Sequence, residues 1–240
     1  MDREISQLSP LYGDCLSRYN RVVYQKNRAL KENRYLSYKD DLFKVWNKQF
    51  VYFGSRIIQK RALAVAAWSK LAARNYSLLF TAGPRLKIEY VTFLPKNILS
   101  AQIEEIEAAF KAQIALKAEE ELQRGFSLLG PHRDDLSFLL DGREARRYAS
   151  HGQQRSAVIA LKAAQLQFYH QKKEKPVFIL DDIFSELDER RRQECFSLFR
   201  DAGQVFLTIT EKDPGLDSFL QQFASSSFFH VQKGRVKKEE

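Results

Sequence analysis

Two adjacent carboxylates, Asp181 and Asp182, close an apolar run, VFIL, within the stretch PVFILDDIFSELD at residues 176–188. A short apolar run bounded by turn signals reads as a strand buried on both faces of a parallel sheet. Ligands of such sheets sit at the carboxyl ends of the strands, where these two side chains emerge. A carboxylate there can hold Mg²⁺ through its waters, and its neighbour can orient or deprotonate an attacking water. The plainer alternative is an Asp pair that ends a strand and caps the next helix. Upstream, ASHGQQR at residues 149–155 is a Gly-containing turn that opens a helical run. Ser150 and the amides around Gly152 stand at a helix N-terminus, where unpaired N–H groups and the helix dipole favour a phosphate. Taken alone, that segment reads better as an ordinary Ser-capped helix. Gln153, Gln154 and Arg155 nevertheless add polar groups that a plain cap does not require, and the two motifs together point to nucleotide handling.

The elements that must position these groups follow from composition and pattern. A chain of 240 residues, 44% apolar with 18 Phe and 10 Tyr, has apolar surface enough to offset chain entropy and build a core, for one large domain or two small ones. Its two cysteines, Cys15 and Cys195, lie far apart and form no ligand-spaced cluster, as expected of a reduced, cytoplasmic protein. The N-terminus has no apolar signal region and no long uncharged stretch occurs, so export and membrane spanning are unsupported. Residues 1–80 carry 15 Lys and Arg against 6 Asp and Glu, whereas residues 81–240 carry 24 of each. The whole basic excess therefore sits in the first third, a footprint expected for a polyanion, most often nucleic acid.

Residues 11–34 read as a helix with Leu11, Cys15, Val22 and Leu30 near one face. Arg18, Arg21, Lys26, Arg28, Lys31 and Arg34 spread around the remainder, and Tyr19 and Tyr24 are read as core. A longer helix, residues 40–75, carries an apolar stripe through Leu42, Val45, Trp46, Phe50, Phe53, Ile57, Ala64, Ala67 and Leu71, which Arg61 interrupts. The two helices form an antiparallel hairpin, and Gly54-Ser55 is a candidate bend in the second. A strand is expected over residues 86–94, a helix capped by Ser100 over 100–124, and a hairpin from 136–140 and 143–148 around Asp141-Gly142. A helix over 153–170, the strand 177–180, a helix over 188–199 and a second apolar run at 205–210 complete a βαβ unit. Residues 233–240 read as a frayed polar tail. The segment at 125–130, GFSLLG, has the glycine spacing of a phosphate loop, but Pro131 and His132 stand where that loop needs Lys and Ser/Thr, so it is rejected.

In order and spacing, GPHRDD (130–135), ASHGQQR (149–155), FILDD (178–182) and SELD (185–188) resemble the RecF family of DNA-repair ATPases, relatives of the SMC and Rad50-type ATP-binding-cassette proteins, and residues 6–31 resemble its helical arm. The resemblance runs from about residue 5 to about residue 231. It implies an α/β fold: a partial ABC-type ATPase head, with a P-loop NTPase sheet and flanking helices, plus a helical arm domain. The arm would span residues 1–84, a linking strand and helix 85–124, and the head 125–240. It implies ATP and Mg²⁺ as ligands of the intact protein. Ser150, Gly152 and Gln153 would form the signature motif that contacts ATP across a dimer. Asp181 would be the metal residue, Asp182 the catalytic carboxylate, Asp188 the D-loop residue at the dimer interface, and Thr208 and Thr210 a switch segment that Ile209 interrupts. Arg21, Lys26, Arg28, Lys31 and Arg34 would contact DNA. The implied partners are single-stranded and gapped double-stranded DNA, RecR- and RecO-type mediators, and a second copy in an ATP-dependent homodimer that clamps DNA and helps load recombinase. The family's Walker A part does not occur in these residues, so a truncated chain unable to bind ATP productively alone is expected. The rival expectations are a non-catalytic DNA-binding or interaction protein of the same fold, or another SMC/Rad50-like or defence-system ATPase.

Overall fold

The computed structural model describes residues 1–32, 41–171, 174–181, 189–200, 202–209 and 225–239. A short helix, α1 (Asp2–Leu8), precedes α2 (Pro10–Glu32). Pro10 suits the first helical position because its missing N–H would have no partner there, and Ser9 Oγ accepts the Tyr12 N–H at 3.4 Å. The buried positions of α2 are Tyr12, Tyr19, Val22, Lys26 and Leu30, a spacing that draws one stripe along the helix. Leu11 is 84% exposed; the stripe starts one residue later than expected. Tyr19 is core, but Tyr24 is exposed.

Helix α3 (Asp41–Leu79) has 39 residues, about 58 Å at 1.5 Å per residue. It runs antiparallel to α2, because Tyr19 stacks on Phe50 at 5.3 Å, Lys26 faces Phe43 and Tyr12 meets Arg61. Helix α3 is unbroken through Gly54 and Ser55. Gly54 serves packing, since a Cβ there would stand 2.5 Å from Phe110 Cε1 and 3.2 Å from Tyr19 Cε2.

Strands β1 (Leu86–Val91), β2 (Asp135–Leu140) and β3 (Arg143–Glu144) form an antiparallel sheet in that order. Leu86, Ile88 and Tyr90 bury the inner face of β1, and the Ile88 N–H donates to Ser69 Oγ of α3 at 2.9 Å. Asp141 and Gly142 turn the β2–β3 hairpin with positive φ of 47° and 78°, the geometry that Asp-Gly favours. The hairpin is shorter than its sequence pattern: β3 lasts two residues and α5 (Ala145–Tyr148) follows. Helix α4 (Ile103–Arg124) also starts later than expected. Residues Lys96–Ser100 form a 3₁₀ turn and Ser100 Oγ donates to Asn97 O, so it caps nothing.

The long helix α6 (His151–Gln171) packs along α1 and α3. Asn75 Nδ2 donates to Ala160 O at 3.2 Å and Gln167 Nε2 to Asn75 Oδ1 at 3.2 Å. Lys162 pairs with Glu4 at 2.7 Å, and the Tyr169 hydroxyl donates to Gln7 Oε1 at 2.6 Å. One apolar cluster runs through α1, α2, α3, β1, α4 and α6. A second joins α6 to β4 (Val177–Asp181), α7 (Glu189–Ser197) and β5 (Gln204–Thr208) through Leu166, Leu180, Cys195 and Phe199. Strands β4 and β5 pair in parallel, Ile179 beside Phe206 and Asp181 beside Thr208, which makes β4–α7–β5 the expected βαβ unit. Burial on both faces is not found: Leu180 is buried, but Ile179 is 72% exposed. The tail is not frayed. Residues Phe228–Gln232 (β6) and Arg235–Glu239 (β7) pair antiparallel around Lys233 and Gly234, both at positive φ. Among the described residues no helix is long and apolar enough to cross a membrane.

Candidate functional site

The start of α6 is a reciprocal capping box. The Gln153 N–H donates to Ser150 Oγ at 3.3 Å and the Ser150 N–H donates to Gln153 Oε1 at 3.0 Å. Each side chain thus satisfies a backbone donor that the helix cannot. Gln154 Nε2 donates to Ala149 O at 3.0 Å and straps the entering chain. Ser150 and His151 stay exposed, and a Cβ on Gly152 would meet nothing within 4 Å. The chain itself therefore does not require glycine at 152.

At the carboxyl end of β4, Asp181 Oδ1 accepts a hydrogen bond from Thr208 Oγ1 at 2.5 Å, and the parallel register puts both side chains on the exposed face. Oxygen donors only, with a single carboxylate, suit Mg²⁺ better than a softer metal. Among the described residues no cluster of three or more His, Cys, Asp or Glu forms a metal cage. Asp182, Asp188, Thr210 and Arg34 lie outside the described residues. No hydrogen bond or ion pair links Asp181 to Ser150, Gly152 or Gln153 among the described residues.

The basic arm is corrected at one position. Arg21, Arg28 and Lys31 are exposed on α2, and Arg28 pairs with Glu32 at 2.8 Å. Lys26 is fully buried. Its Nζ lies 2.8 Å from Glu121 Oε2, with both side chains 0% exposed, and 4.5 Å from the Phe50 ring centroid. Burial pushes its pKa down and Glu121 offsets part of that. It belongs to the α2–α4 core, and DNA does not reach it.

Sequence reasoning missed a buried polar hub. Arg61, read as an interruption of the α3 stripe, is buried. Its Nε and Nη2 donate to Asp2 Oδ1 and Oδ2 at 2.8 and 2.7 Å, and Nη1 donates to the Pro131 carbonyl and lies 3.7 Å from Asp134 Oδ2. The Tyr90 hydroxyl donates to Asp134, Tyr12 to Asp2 at 2.6 Å, and the Tyr19 hydroxyl lies 2.8 Å from His132 Nδ1. Of these groups, Asp2, Tyr19, Arg61, Pro131, His132 and Asp134 border a cleft of about 400 Å³. The motif GPHRDD is thus the turn that fastens α1, α2 and α3 to β2. Gly130, at φ 126°, is required there because a Cβ would collide with the Tyr19 hydroxyl. The signal available in sequence was an arginine placed in phase with an apolar stripe.

Burial raises the Asp134 carboxyl to about 6, against the pull of Tyr90, Thr92 and Arg61. Between pH 3.8 and about 6 the folded chain keeps a proton that the unfolded chain has released, so this contribution is complete below pH 3.8 and lost as pH rises through about 6. His132 has the opposite sign. Burial and then Arg133 lower it to about 4, so its contribution is lost as pH falls from 6.5 toward 4. Asp134→Asn removes only the first effect. On acidification from pH 6.5 to 4 the variant should lose more stability than the wild type, read as urea midpoints; parallel profiles would contradict a protonated Asp134.

No protein-family profile matches the chain. Solved structures do match, two of them of RecF with ATP or ATPrS. The recombination mediator protein RecF with ATP, described in the RecFOR pathway, superposes with TM-score 0.82 at 26% identity over 100% of this chain and 61% of its own. Its complex with ATPrS gives 0.80 at 26% identity over 99% and 61%. The helical layers and the βαβ unit are those of a partial ABC-type ATPase head carrying a helical arm. Among curated proteins, the DNA replication and repair protein RecF of Symbiobacterium thermophilum is 36% identical over 98% of this chain and 62% of its own length. That of Halothermothrix orenii is 36% identical over 88% and 57%. The chain is similar to RecF proteins over nearly all of its length, and it spans about six-tenths of the length of the curated relatives it matches.

Proposed function

We propose that this chain supplies the signature half and the metal-binding half of two ATP sites in a RecF-like DNA-repair ATPase, with residues 1–84 as its DNA-contacting arm and residues 125–240 in its head. The observation that carries the reading is the superposition of the whole chain on ATP-bound RecF. The capped start of α6 presents Ser150, Gly152 and Gln153 to the ATP of a second copy, and Asp181, held by Thr208, faces the metal at its own site. Mg²⁺ held through Asp181 would neutralise phosphate charge. Asp182 is assigned the attacking water and Asp188 the dimer contact. Thr208 restrains Asp181 through one of its oxygens and leaves the other to hold the metal. ATP-dependent dimerisation then closes the arms on gapped DNA, where RecR- and RecO-type partners act to load recombinase.

The separation of half-sites gives a direct test. Gly152→Ala meets open space and replaces glycine with a better helix former, so stability should be unchanged or up to about 1 kcal/mol higher. ATP-dependent self-association of the native protein, read by sedimentation, should be lost because the phosphate must approach that backbone. Full retention of self-association would remove the signature assignment; a destabilised variant would mean Gly152 serves the fold.

A further inference from the structure

The β6–β7 hairpin segregates its side chains. Its register pairs His230 with Lys237 and Gln232 with Arg235, alternating with Val231 opposite Val236. One face therefore presents His230, Gln232, Arg235 and Lys237, and Lys233 sits at the tip. The other face presents Phe229, Val231 and Val236 with Lys238. Phe228 at the base packs on the second apolar cluster and anchors the ribbon to the head. Every residue from 229 to 238 is exposed. Among the described residues, none of Lys233, Arg235, Lys237 and Lys238 pairs with a carboxylate. Four unpaired cations within six residues of an ordered ribbon form a concentrated positive site in the part of the chain whose net charge is zero.

We infer that this ribbon is a second contact for double-stranded DNA, separate from the arm. A two-stranded ribbon fits the major groove, about 12 Å wide, and Arg and Gln are side chains that bind base edges there. Lys233 and Lys237 lie where flanking phosphates run, and charge complementarity selects this face over the apolar one. The inference rests on the reading of the protein as DNA-binding.

The test compares salt dependence of duplex binding by anisotropy for the 240-residue chain and three charge-reversed variants. Lys233→Glu/Arg235→Glu/Lys237→Glu should bind at least ~10-fold more weakly, and the slope of log K against log salt should flatten by about 2–3, near 0.9 per lost phosphate contact. The neutral Gln version of the same three positions should flatten it equally, which guards against misfolding. Lys96→Glu/Lys111→Glu/Lys117→Glu carries the same charge change on exposed residues outside both the arm and the hairpin and should leave the slope within about 1 of the wild type. An equal effect from that control would reduce the result to net charge and overturn the inference. An unchanged hairpin slope, with flattening in Arg21→Glu/Lys31→Glu, would overturn the ribbon contact and leave the DNA-binding reading standing. No salt-dependent binding by the wild type would overturn both.

Discussion

Arg61→Ala should destabilise the protein by about 3–5 kcal/mol, the range for removing one partner of a buried ion pair. Arg61 is 5% exposed and Asp134 2% exposed. Burial opposes the guanidinium charge; Asp2 and the phenols of Tyr12 and Tyr90 override it and hold the pKa above the ordinary arginine value. Alanine would leave Asp2 and the Pro131 carbonyl without their common donor and Asp134 without its neighbouring cation. Lysine keeps the charge but cannot span Asp2 in two parallel bonds while also meeting Pro131, so Arg61→Lys should recover only part of the loss. For a chain of this size the Ala variant's Tm should fall on the order of 10 °C. A shift of a degree or two would mean that the hub is solvated and that GPHRDD does not fasten the arm.

The second large effect is at Lys26 and Glu121. Lys26→Met alone should cost about 3–5 kcal/mol by leaving Glu121 charged and buried. The double variant Lys26→Met/Glu121→Gln should recover most of it, because Gln can still accept the Leu128 N–H that Glu121 Oε1 receives at 2.8 Å. The coupling energy from the four proteins measures the pair itself. Additive losses in the double variant would show that the pair contributes nothing beyond its separate packing. Weak duplex binding by Lys26→Met at full stability would restore the residue to the DNA face.

What the sequence displayed and what it hid divide along a physical line. The βαβ unit, the Asp-Gly hairpin and the capped start of α6 were legible because each depends on residues close in sequence: an apolar run ending in Asp181, a two-residue turn, and Ser150 three positions before Gln153. Arg61 and Lys26 were misread because their partners, Asp2, Asp134 and Glu121, lie far along the chain. Local pattern assigns an arginine in a stripe to an interruption and a lysine on a basic helix to the surface; only packing reveals a buried pair. The packing role of Gly54 was hidden for the same reason, since Phe110 of α4 lies against it. The β6–β7 hairpin was hidden by its lysines, which read as a solvated tail although Val231 and Val236 alternate with them.

Nucleotide at the α6 start is proposed to control DNA engagement. That control is tested most directly by the affinity of the native protein, captured from its source cells, for gapped DNA with and without ATP, in the wild type and in Gly152→Ala. The account predicts that ATP tightens wild-type binding at least ~10-fold, a coupling of about 1.4 kcal/mol, and that Gly152→Ala keeps the nucleotide-free affinity but gains nothing from ATP. Equal affinities with and without ATP in the wild type, or an undiminished ATP effect in the variant, would contradict it.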